Sequence, residues 1–259
     1  ERGQSRGFPS EKGSGHVCLK QYNKNFFRKK LQISYIIAYC SWDPRMDDAE
    51  EKILKLELRL AQLDRVEQCQ GDFLSFVRAM WPEFITGKHH EIIAEKLDRV
   101  ASGELKRLIV NMPPRHTKSE FASFLFPAWM IGKNPAMKII QATHTTELAV
   151  GFGRKVKNLL ERDDYQDIFP DSRLSADSKA SGRWDTARGG MYYAVGVGSN
   201  LAGRGGDLIV IDDPHSEQTA MSANGFDDAW DWYTGGPRQR LQPGGAIVLV
   251  MTRWSDKDL

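Results

Sequence analysis

Cysteine is scarce in this sequence: Cys18, Cys40 and Cys69 are its only three. They are too few and too scattered for a disulfide framework or a zinc site. Long apolar runs are missing as well. The longest, residues 33–40 and 121–131, are interrupted by Ser34 and by Ser123 with Pro127. Both fall short of the ~20 residues that a membrane-spanning helix needs. No charge sign dominates, since 36 Lys and Arg face 34 Asp and Glu for a net +2, so no global field points to a partner. With 41% hydrophobic and 27% charged residues, disordered and fibrous classes are excluded. The expectation is a soluble intracellular protein whose 259 residues make one large or two small domains.

The distribution of charge says more than its sum. Residues 1–45 carry a net +6 and residues 46–259 a net −4. The first segment begins at Glu1, is punctuated by Gly, Ser and Pro, and holds the basic patch Arg28-Lys29-Lys30. No apolar stretch directly follows a basic start, so it does not read as a secretory signal. One reading is a basic arm that touches nucleic acid. The favoured one takes Met46 as the true start and sets residues 1–45 outside the fold.

From Asp47 the pattern becomes helical. Ile53, Leu56, Leu60 and Leu63 recur at steps of three and four, with acids crowding the first turn. Further helices are expected over 71–80, ended near Trp81-Pro82, and over about 89–100, closing at Ser102-Gly103. The segment 46–103 thus reads as a helical N-terminal part. Strands and helices then alternate through 104–259. Strands are expected at 108–112, 138–142, 191–197, 208–211 and 246–251, and helices at 119–130, 146–160 and 220–233. Such alternation implies right-handed crossovers and a mostly parallel sheet with helices on both faces, an α/β fold.

In open α/β sheets, ligands sit beyond the carboxyl ends of strands, where a helix N-terminus offers free N–H groups to an anion. The stretch Met112-Pro113-Pro114-Arg115-His116-Thr117-Lys118-Ser119 lies at such a place. Its spacing is that of a phosphate-binding Walker A loop, with Lys118 set for the β- and γ-phosphates and Ser119 for Mg2+. Met112 and Thr117 occupy the positions where that pattern has glycine, which normally lets the backbone curl around phosphate. Read alone, the stretch also fits a proline-stiffened turn capped by a solvated lysine.

A second element shifts that balance. Leu208-Ile209-Val210-Ile211 runs directly into Asp212-Asp213. Two carboxylates at the end of an apolar strand suit phosphoryl transfer, one holding the Mg2+ shell and the next orienting the attacking water. A third element, Thr252-Arg253-Trp254 at the end of the strand 246–251, offers a hydroxyl and a guanidinium for sensing the γ-phosphate, or simply a turn with an aromatic lid.

Taken in order, Pro113–Ser119, Gly196–Asp207, Ile209–Pro214 and Met251–Leu259 resemble the large terminase subunit of tailed bacteriophages, and residues 88–97 are similar to the segment leading into its ATPase core. The likeness runs from about Asp72 to Leu259. It implies a P-loop NTPase fold of the RecA-like (ASCE) kind, preceded by a helical segment, with ATP and Mg2+ as cofactors. It implies a genome-packaging motor that translocates double-stranded DNA into a procapsid. The implied partners are the portal protein, the small terminase subunit and further copies in a ring, with no membrane. The implied place is the host bacterial cytoplasm, docked transiently on the procapsid and not in the mature virion. The family continues into an RNase H-like nuclease, so the chain is expected to be a fragment ending before it.

Residue by residue, the resemblance makes Lys118 and Ser119 the Walker A lysine and hydroxyl, within a nucleotide-binding loop of Pro114, Arg115, His116 and Thr117. Asp212 becomes the Mg2+ acid, sharing the metal with Ser119, and Asp213 the catalytic carboxylate. Thr252 falls in the motif that couples hydrolysis to movement. Arg204 is the first choice for an arginine finger and Arg115 the second, because a guanidinium stays charged and pairs with phosphate in a fork. His90 falls on the adenine side. DNA contacts are expected on phosphates, since packaging accepts any sequence, with Arg154, Lys155 and Lys157 as a local basic track. The alternatives are a helicase-like ATPase and a non-catalytic nucleotide-binding scaffold.

Overall fold

The computed structural model describes residues 49–178, 180–222, 224–256 and 258–259. The basic leader and the Met46 start therefore lie outside the described residues, as do Cys18 and Cys40. Among the described residues no helix is long and apolar enough to cross a membrane. The chain divides into two compact units, 1–63 and 64–259.

The first helix, α1 (Ala49–Gly71), spans that division. It stops where Asp72 caps the next one: the Asp72 carboxylate accepts from the Ser75 N–H at 2.6 Å and starts α2 (Phe73–Met80). The helix expected from Gly71 thus begins two residues later, because Asp72 serves the helix end better than the helix interior. Helix α3 (Lys88–Ala101) follows, and here His90 supplies the cap, its Nδ1 accepting the Gly87 N–H at 2.8 Å.

The sheet of the second unit has six strands in the order β1 (Arg107–Asn111), β6 (Leu241–Met251), β5 (Gly206–Asp212), β2 (Lys138–Thr143), β4 (Met191–Gly196) and β3 (Arg183–Asp185). All neighbours are parallel except β3 with β4. The register aligns the carboxyl ends: Asn111 faces Met251, Val250 faces Asp212, and Asp212 faces Thr143. Everything leaving these four strands therefore meets along one edge of the sheet.

One face buries Ile139, Leu208, Val210, Val248 and Val250 against α2, α3 and the helix after β1. Phe73 lies at its centre, with Phe121, Phe126 and Trp129 ringed about it at 5.4–5.7 Å. The helical segment expected over 46–103 thus shares, from Cys69 onward, a core with the sheet. The other face buries Ile140, Ile209, Ile211 and Leu249, with Trp232 and Tyr233 against it. Those aromatics belong to α8 (Gly225–Gly235), which follows the short α7 (Glu217–Ala220) and precedes α9 (Pro237–Arg240). Where one helix was expected over 220–233 there are two, parted by a turn at Met221–Ser222. Both faces are covered, as the near-continuous apolar strands require.

The helix after β1 is continuous from Lys118 but widens to a π-helical stretch at Glu120–Leu125 before α4 (Phe126–Lys133). Pro127 explains the widening. It has no N–H to donate and its ring would strike the carbonyl four residues back. A wider turn, in which the Phe126 N–H reaches the Phe121 carbonyl, accommodates it without a break. The remaining helices are α5 (Thr146–Leu160), capped by the Thr145 hydroxyl accepting from the Leu148 N–H at 3.3 Å, and α6 (Asp163–Ile168).

Candidate active site

Four strand ends and one loop build the site. Met112 extends the pairing of β1 and β6 by one bond, its N–H donating to the Met251 carbonyl at 3.1 Å. The chain then turns through Pro113 and Pro114 and curls back on itself at Arg115 (φ +63°) and Thr117 (φ +61°). These, with Asp213 (φ +42°), are the non-glycine residues with positive φ among the described residues. Each such residue costs on the order of 1 kcal/mol. The sequence suggested that a loop without glycine would curl poorly. The chain takes the left-handed conformation without glycine, at the position before Lys118 and two residues earlier.

The surroundings enforce that conformation. The Gly87 N–H donates to His90 Nδ1, so the His90 proton sits on Nε2 and is donated to Thr117 Oγ1 at 2.7 Å. The Thr117 hydroxyl in turn donates to the His116 carbonyl at 2.6 Å, and His116 Nδ1 donates to the Pro114 carbonyl at 2.9 Å. His90 is buried and stacked on Phe121, with ring centroids 5.1 Å apart. Burial, and then the adjacent His89, pull its pKa below the ordinary value and keep it neutral. Both ring nitrogens are thus committed, and His90 stands behind the loop as its brace. Pro114, Arg115 and His116 are exposed.

Lys118 and Ser119 open the helix and turn toward β5. Lys118 is buried, 6% exposed, and its Nζ lies 3.2 Å from Asp213 Oδ2. The other Asp213 oxygen accepts the Thr252 N–H at 2.8 Å. The backbone of Asp213 is held too: its N–H donates to the Val250 carbonyl at 2.8 Å, and its carbonyl accepts from His144 Nδ1 at 3.2 Å. Ser119 Oγ donates to Asp212 Oδ1 at 3.0 Å.

Asp212 is 2% exposed. Burial pushes its carboxyl up to about 6; the neighbouring Asp213 adds to the rise, while Ser123, Ser119 and Lys118 oppose it. The Ser123 hydroxyl is near enough to favour the anion, yet neither it nor Asp212 Oδ2 completes a hydrogen bond within the protein.

The structure thus brings together Thr117, Lys118, Ser119, Asp212, Asp213 and the Thr252 amide. The amide of Thr252 engages Asp213; the sequence reading had offered its hydroxyl for sensing the γ-phosphate. Arg204 stands apart from these residues within the chain. Its guanidinium lies 4.0 Å over the Tyr193 ring. Tyr193 packs on the sheet face of Ile209 and Ile211, whereas Asp212 points from the opposite face. Tyr193 is also level with Ile209, which is three residues, roughly 10 Å, short of Asp212 along the strand. Of the expected basic track, Lys155 pairs with Glu120 at 2.7 Å and Lys157 donates to the Ser178 carbonyl at 2.6 Å. Arg154 is exposed.

Two residues of this corner escaped sequence reading. His144 directly follows β2 at the same sheet edge, and its position was the signal. Ser123 lies four residues after Ser119, on the same side of the helix.

Among the described residues no group of three or more His, Cys, Asp or Glu side chains is arranged to hold a metal ion. A cation here would be held by Ser119 and Asp212 together with oxygens of a ligand and water. That donor set fits Mg2+, which takes one or two carboxylates plus phosphate oxygens and retains water.

No family model and no curated protein matches the chain. Among solved structures, the crystal structure of the HK97 bacteriophage large terminase is similar to it over 68% of this chain at 12% identity, with a TM-score of 0.40. The match spans 35% of that chain, about a third of its length, and at that score it assigns neither family nor role.

Proposed function

We propose that this chain is a P-loop ATPase that hydrolyses ATP with Mg2+, and that it serves as the motor part of a machine translocating double-stranded DNA into a viral procapsid. The observation that carries the ATPase reading is conformational. The non-glycine positive-φ residues of the described chain, Arg115, Thr117 and Asp213, all fall at this corner. Backbone strain persists where the surroundings enforce it, and it gathers at functional sites. In this reading the left-handed residues turn the loop so that its N–H groups can cradle a phosphate above the first turn of a helix.

Within this reading each residue has a task. Mg2+, when bound, offsets the negative charge of the phosphates. Lys118 gives its ammonium to the phosphate oxygens, a buried point charge already aimed into the corner. Asp213 orients the attacking water and accepts its proton; the Thr252 amide and the Asp213 backbone bonds fix its carboxylate. For this to happen Lys118 must exchange Asp213 for phosphate, which frees Asp213 Oδ2. His90 holds Thr117 and through it the curl of the loop. The translocation part of the proposal is supported by the ordered motifs of the sequence, and DNA, portal and small-subunit partners belong to it.

Turnover of ATP by the purified chain tests the reading. Wild type should hydrolyse ATP only with Mg2+. Lys118→Ala should lose nucleotide binding and turnover. Asp213→Asn should keep binding while turnover falls about 100-fold or more. Equal rates in all three proteins would remove both residues from the chemistry.

A further inference from the structure

Behind Asp212 the buried face of the sheet carries polar atoms that have no partner. Eight buried side-chain nitrogen and oxygen atoms lack a hydrogen bond among the described residues, and five belong to four neighbouring residues. They are Asp212 Oδ2, Ser123 Oγ, both polar atoms of Gln141, and the Tyr192 hydroxyl. Ser123, Gln141 and Tyr192 are each 0% exposed.

The topology gathers them. Gln141 lies in register between Val210 of β5 and Ala194 of β4, with Asp212 diagonal to it toward the carboxyl edge and Tyr192 diagonal toward the amino end, all on the same face. Ser123, on the π-helical stretch above, is close enough to affect the Asp212 charge, and that charge is felt in turn by the Tyr192 hydroxyl.

An interior strand residue on a packed face is ordinarily apolar. Five unpaired buried atoms are a heavy cost for any core unless something satisfies them. The set is complementary in chemistry. Asp212 Oδ2 only accepts; Ser123 and Tyr192 donate and accept; Gln141 offers both functions on one planar group. A water needs two to four such partners to be retained in a protein interior.

We infer that Ser123 and Gln141 are positioning residues for Asp212, holding its inner oxygen through ordered water and so presenting the other oxygen to the cation, with Tyr192 acting on it through Gln141. This rests on the proposed Mg2+-nucleotide site. Partners of this outer kind fix the orientation of a metal-bound carboxylate, and their loss typically weakens metal binding about 10- to 100-fold.

The test measures metal binding rather than turnover. Mn2+, read by electron paramagnetic resonance, is titrated into the chain with saturating ADP, and ADP affinity is measured separately in metal-free buffer. The variants are Ser123→Ala, Gln141→Leu and Tyr192→Phe. The last keeps the ring that stacks on Trp184 at 4.8 Å and 4°, so its fold is retained. Each variant should weaken Mn2+ binding about tenfold and leave metal-free ADP affinity unchanged. Unchanged Mn2+ binding in all three would overturn the inference and leave the site reading standing. Equal losses with and without metal would also overturn it, as a general loss of structure. A wild-type chain that takes up no Mn2+ with ADP would overturn the site reading, and the inference with it.

Discussion

Replacing Asp212 by Asn should make the protein more stable, in a pH-dependent way whose shape follows from the structure. The carboxyl titrates at about 6 in the folded protein, against an ordinary 3.8, because it is buried. A shift of about two units at 1.36 kcal/mol each gives roughly 3 kcal/mol. The sign follows from proton counting. Between pH 4 and 6 the folded protein holds a proton that the unfolded chain has released, so stability falls as pH rises through that window. Above about 6 the full cost of the buried charge is present, and below about 4 both states are protonated and the cost vanishes. Asn keeps an oxygen to accept from Ser119 and gains an N–H2 that can donate to the unpaired Ser123 hydroxyl. Urea unfolding of both proteins from pH 3.5 to 8 isolates the effect, because the other carboxylates are common to both. The variant should be more stable by roughly 2–3 kcal/mol at pH 8 and indistinguishable at pH 3.5. A difference that stays flat across this range, or a variant less stable at pH 8, would refute the account of Asp212 as a buried charge held ready for a cation.

Further outcomes follow from the same corner. Thr252→Ala keeps the amide that holds Asp213 and should retain ATP turnover within about twofold, whereas Thr252→Pro removes the N–H and should lose roughly tenfold. At the exposed, left-handed Arg115, Gly should leave the protein about 1–2 kcal/mol more stable than Val, as measured by denaturant unfolding. His90→Ala should weaken ATP binding roughly tenfold in titration calorimetry, because Thr117 loses its brace while every phosphate-facing group remains. Arg204→Ala should leave nucleotide affinity unchanged, since its guanidinium rests on Tyr193 on the opposite face of the sheet.

Much of this was legible in the residues. Fully buried parallel strands announce themselves as apolar runs, and β2 and β4 fall within a residue of their expected ends. β6 begins five residues before the expected 246, at Leu241, because its first residues, Gln242-Pro243-Gly244-Gly245, carry no strand signal and are placed by their neighbours. The three-residue β3 and the six-residue α6 are too short for periodicity to reveal. Lys118, Ser119, Asp212 and Asp213 were identifiable because their spacing follows strand ends, which patterning locates well. The left-handed loop was not, for its conformation is imposed by a histidine 27 residues away in sequence.

The central claim is that the curled loop and the paired aspartates together hold a Mg2+-triphosphate. A crystal structure of the chain with Mg2+ and a non-hydrolysable ATP analogue tests it most directly. The account predicts the phosphates against the backbone amides of Thr117, Lys118 and Ser119, with Lys118 Nζ moved from Asp213 onto phosphate oxygen and the metal beside Ser119 and Asp212. A nucleotide bound elsewhere, or a Lys118–Asp213 pair left intact beside an empty loop at saturating nucleotide, would contradict it.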